Sequence, residues 1–80
     1  MKKNETLLIN LDMIKDLSSK IIDYAGEIGL ISSEMENVED FDILVEQTET
    51  LGGICRMVTH LTILLETHIH QSKEYLTSFK

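Results

Sequence analysis

The chain has 80 residues, a net charge of −7, two Phe, two Tyr, no Trp, no Pro and one Cys. That length makes one domain at most, and a single core of this size rarely supplies more than about 3–5 kcal/mol. A lone cysteine excludes an internal disulfide, so the composition points to long helices that draw stability from a second chain.

The charge is unevenly placed. Residues 1–22 carry Lys2, Lys3, Lys15 and Lys20 against Glu5, Asp12 and Asp16, a net +1. Residues 50–80 carry Arg56, Lys73 and Lys80 against Glu66 and Glu74, again +1. Residues 23–49 hold nine acids and no base, a net −9. Nucleic-acid affinity comes largely from Lys and Arg neutralising phosphates, so direct nucleic-acid binding is disfavoured. Lys2 and Lys3 imitate the start of a signal peptide. Asn10 and Asp12 then interrupt the apolar run, and no small-residue cleavage site follows. No run approaches the roughly 18 apolar residues of a membrane span. The lone Cys55 fits a reducing compartment, and a cytoplasmic protein is expected.

The first predicted helix covers residues 5–34, with Met1–Asn4 a frayed start and Asn4 or Thr6 as its cap. Leu7, Ile14, Ile21, Ile28 and Met35 recur at intervals of seven; they define heptad position a. Asn10, Leu17, Tyr24 and Ile31 follow at d, and Leu11, Ser18, Ala25 and Ser32 at e. The pattern predicts a broad a/d/e stripe facing a core. Gly26 and Gly29 each cost about 1 kcal/mol relative to Ala, and predict a bend or a close helix approach. An acidic turn is expected over residues 35–41, with Asn37, Asp40 and Asp42 as candidate N-caps and fraying near Glu34–Glu36.

The second predicted helix covers residues 42–78. Leu44, Leu51, Val58, Leu65 and Ser72 share position a; Ile54, Leu61, His68 and Tyr75 share d; Cys55, Thr62, Ile69 and Leu76 share e. Met57 and Leu64 widen the stripe, which weakens after Leu65. Gly52–Gly53 is expected to kink the helix, which otherwise continues. A break there, or a close helix crossing, is the alternative. Together the elements predict an all-α fold, a long antiparallel helical hairpin. Two helices touching along one line leave wide stripes uncovered, so a homodimer forming a four-helix bundle is expected. Its interface, or that with a foreign partner, is expected at Leu7, Ile14, Leu17, Ile21, Tyr24, Ile28, Leu51, Ile54, Met57, Val58, Leu61, Leu64, Leu65 and His68.

Candidate chemistry is sparse. His68 and His70 are two residues apart and diverge on a helix, and His60 and His68 are eight apart. Only Glu66 and His70 have a ligand-like spacing. His68 is expected to hydrogen-bond across the bundle, with His60 and His70 solvated. Cys55 and His60 diverge, and Cys55 is expected to be a small buried hydrophobe. Asp40 and Asp42 do not continue into a calcium loop. No catalytic residue, metal or cofactor is therefore assigned. Glu34, Glu36, Glu39, Asp40, Asp42 and Glu46 form the expected acidic partner surface. Phe41 among them is either a cap on the bundle or a contact anchor.

The expected function is a small non-enzymatic protein–protein interaction module that partners itself and another protein. A first alternative is an acidic, nucleic-acid-mimicking inhibitor of the phage or mobile-element type, occupying a basic groove. A second is a metal or thiol enzyme around Cys55, His60, His68 and His70.

Overall fold

The computed structural model describes the backbone of residues 2–78 and the side chains of residues 5–78. Phe79, Met1 and the Asn4 side chain lie outside the described residues. Two helices form an antiparallel hairpin: α1 (Lys2–Met35) and α2 (Phe41–Thr77). The rod measures 60 × 14 × 14 Å, and the described residues contain no strand. Absence of proline and sustained heptad patterning account for helices this long.

The turn is built locally. α1 stops at Met35, and its last carbonyls take tightened i−3 bonds: Glu36 N–H donates to Ser33 O (3.3 Å), Asn37 to Glu34 O (3.2 Å) and Val38 to Met35 O (3.2 Å). These satisfy acceptors that a helix end leaves open. No basic residue stands in that last turn, so the helix dipole gains nothing from side chains there. Among the three candidate caps, Asp40 takes the role. Its backbone is extended (φ −73°, ψ 118°), and its Oδ1 accepts from Asp42 N–H (2.9 Å) and Ile43 N–H (3.3 Å). Asp42 sits in the first turn of α2, where a carboxylate suits the positive end of the dipole.

A cross-helix hydrogen bond marks the register. Asn10 Nδ2 donates to Thr6 O (3.2 Å), which turns Asn10 Oδ1 outward to meet His68 Nδ1 at 3.0 Å. Since Oδ1 only accepts, Nδ1 carries the hydrogen. The bond therefore exists in neutral and protonated His68 alike. Counting by sevens from this pair places Leu17 opposite Leu61, Tyr24 opposite Ile54 and Ile31 opposite Gln47. Leu17 (4% exposed) and Leu61 (8%) are the buried apolar residues among those described. The seam ends at the termini in a polar cluster, with Asn10 and Ser72 buried and Ser72 Oγ donating to His68 O (2.9 Å). Toward the turn, Gln47 Oε1 is buried without a partner. The d-column spacing identifies Gln47 as a seam residue, which the sequence reading passed over.

Three expectations change. Covered positions are mainly a and d; at e, Leu11, Ala25, Ser32, Cys55, Ile69 and Leu76 are exposed, and only Ser18 and Thr62 are partly covered. Cys55 is thus a surface thiol and not a buried hydrophobe. Two helices can cover only the residues flanking their line of contact; e positions need a further helix. Second, the a and d columns of α2 stay covered past Leu65 to Tyr75; α2 itself continues through Gly52–Gly53 as expected, without the alternative break. Third, no glycine marks a close crossing within the hairpin. A Cβ at Gly26 or Gly29 would meet nothing within 4 Å, and one at Gly52 or Gly53 only the guanidinium end of Arg56.

Candidate functional site

The hairpin has a tip and two long sides. At the tip, Glu34, Glu36, Glu39, Asp40, Asp42 and Glu46 are all exposed. Phe41 stands among them 75% exposed, so it caps nothing within the hairpin. An extended Asp40 followed directly by the first turn of α2 throws the Phe41 side chain clear of the seam.

Of the fourteen residues expected at a dimer or partner interface, twelve are used up between α1 and α2, where they are buried or half-buried. Met57 and Leu64 are the exceptions and remain exposed. Apart from these two, the large apolar residues that the hairpin leaves outward are a different set.

In an antiparallel pair, positions e and b of both helices share one long side, and g and c share the other. The e/b side shows Leu8, Leu11, Ile22, Phe41, Val45, Ile69 and Leu76 as exposed large apolar residues. Between them lie small or hydroxyl residues: Ser18, Ala25, Gly29 and Ser32 on α1, and Thr48, Gly52, Cys55, Thr59 and Thr62 on α2. The hydroxyls of Ser32, Thr48, Thr59 and Thr62 donate to carbonyls four residues back at 2.7–2.9 Å. Their hydrogens are already satisfied, which lowers the cost of taking them out of water. Within the helices, the charges on this side are Lys15, Lys73 and Glu66.

The g/c side shows Ile9, Met13, Leu30, Ile43, Met57 and Leu64, interleaved with Lys20 and with Asp16, Asp23, Glu27, Glu34, Glu46 and Glu74. Lys20 pairs with Asp16 at 3.1 Å, both more than half exposed, a pair worth about 0.3–0.5 kcal/mol. A shallow depression here is lined by Lys20, Asp23, Tyr24 and Glu27.

The histidines do not converge. His60 and His70 are exposed, His70 Nε2 lies 2.9 Å from Glu74 Oε1 and not beside Glu66, and His68 is engaged with Asn10. Among the described residues no three His, Cys, Asp or Glu side chains gather at metal-binding distance. No described helix is long and apolar enough to cross a membrane. Comparison with protein-family models, with curated proteins and with solved structures returns no match.

Proposed function

We propose that this chain is a non-enzymatic protein–protein interaction module that acts in the cytoplasm as a helical-bundle homodimer. The carrying observation is the imbalance between inside and outside. Among the described residues, Leu17 and Leu61 are the buried apolar ones, while fourteen large apolar side chains are exposed. Monomeric proteins rarely leave contiguous apolar patches beyond a few hundred Å² uncovered, and larger patches mark interaction surfaces. A second copy is the commonest way to close such a surface. The test is absolute molar mass by light scattering behind a sizing column, over a wide concentration range. A constant mass of twice the 9.1 kDa chain is expected. A folded 9.1 kDa monomer at all concentrations contradicts the homodimer.

A second reading is favoured by the tip, where an exposed aromatic stands among six exposed carboxylates. Aromatic anchors inside a complementary charged rim characterise protein hot spots. On this reading the tip imitates phosphates and enters a basic groove on a target. The joint variant Glu36→Gln, Glu39→Gln, Asp40→Asn and Asp42→Asn keeps the Asp40 cap, since Asn caps as well as Asp. It should retain helicity and mass while losing affinity for an arginine-rich peptide. Undiminished binding of that peptide contradicts the mimic.

A further inference from the structure

We infer that the second copy docks on the e/b side, and that the two hairpins run antiparallel, with their acidic turns at opposite ends. This rests on the homodimer reading and says which surface and which orientation serve it.

Apolar content does not choose the side, because the two sides expose seven and six large apolar residues. Charge does. Among the described side chains, the e/b side carries three charged residues in its helical positions, netting +1, while the g/c side carries seven, netting −5. Two g/c sides brought together double a negative field and desolvate its carboxylates. Two e/b sides bring together almost none. Interface cores are depleted of charged residues for the same reason.

Orientation follows from the lengthwise charge. The turn half of the rod, residues 23–49, holds net −9, and residues 1–22 and 50–80 hold +1 each. Parallel docking stacks the two −9 halves. Antiparallel docking lays each against a net +2 half. It is also an isologous twofold arrangement, which closes on itself.

Size and relief agree. A rod 60 Å long and 14 Å wide offers about 800 Å² per long side, the share each partner contributes to a standard stable interface. Gly29 lies on this side with open space where a Cβ would be, and at Gly52 a Cβ would meet only the flexible guanidinium of Arg56, at 3.6 Å. Neither glycine is required for contact between α1 and α2, and Gly29 lets a partner's side chains reach the backbone.

The experiment places two charges on each side in turn and reads mass. Ala25→Glu with Cys55→Glu marks the e/b side; Thr50→Glu with Met57→Glu marks the g/c side. All four sites are exposed in the hairpin. The first variant should raise the dimer dissociation constant at least a hundredfold, and the second by less than threefold. The opposite pattern, loss of dimer in both, or loss in neither overturns the choice of side while the homodimer stands. A monomeric parent chain overturns the homodimer itself. Should the first variant unfold, cysteine pairing decides. On a Cys55→Ser background, mixed Leu11→Cys and Ser32→Cys chains should form the mixed disulfide in preference to either homodisulfide under mild oxidation. Preferential homodisulfides overturn the antiparallel orientation, and no disulfide of any kind overturns the e/b side.

Discussion

The two long sides of the hairpin carry nearly equal apolar content and opposite electrostatic character. One interleaves its leucines and isoleucines with Ser, Thr, Ala, Cys and Gly; the other interleaves them with carboxylates. In the proposed dimer, this difference gives similar apolar residues two fates. Apolar side chains among carboxylates stay tolerable in water because the charges keep the surface solvated and repel copies of themselves. The same side chains among satisfied hydroxyls and glycines gain by being covered.

Both sides depend on the seam beneath them, so the largest effect comes from breaking it. Leu61→Ala removes one of the buried apolar residues and should cost about 2–5 kcal/mol, read as a lower urea midpoint. A loss below about 1 kcal/mol would mean the seam does not hold the sides in register. The next effect concerns the bond that marks that register. Asn10→Leu leaves His68 Nδ1–H without its acceptor and should cost about 1–3 kcal/mol. Adding His68→Leu should recover most of that loss, because the stranded donor is then gone. Additive losses in the double-mutant cycle would show that the two side chains are not coupled.

The smallest effect sharpens the contrast between the sides. Gly26 lies on the outer face of α1, and Gly29 on the e/b side; both have open space in the hairpin. Gly26→Ala should stabilise by about 1 kcal/mol. Gly29→Ala should give less, or destabilise, since its methyl group would meet the second copy. Equal gains, measured by urea unfolding at one protein concentration, would mean no partner approaches Gly29.

Much of the hairpin was legible in the sequence. The unbroken series from Leu7 to Met35 and the acidic cluster after it define two helices and a turn. The width of the core was not legible. Leu11, Cys55 and Leu76 sit at positions that are covered in a bundle and exposed in a hairpin. Periodicity identifies the column, but the number of helices decides its burial. Asp40 was one of three equivalent candidate caps, and only the backbone shows which adopts the extended conformation. Continuity through Gly52–Gly53 depended on whether packing along α2 outweighs about 2 kcal/mol of glycine cost, a balance that local sequence does not contain. The partnership of His68 with Asn10 joins residues 58 apart, and it required the turn length before the register followed. The tip was readable as charge, but the exposure of Phe41 was not, because the direction of its side chain depends on the extended Asp40 backbone just before α2.

The most direct test of the central claim is the distance between the two tips in solution. Asn37 is exposed in the turn, so a spin label at Asn37→Cys, on a Cys55→Ser background, sits clear of both long sides. In an antiparallel dimer of rods 60 Å long, dipolar spectroscopy should give a label separation of about 50 Å. A separation near 20 Å would place the acidic turns side by side and contradict the account.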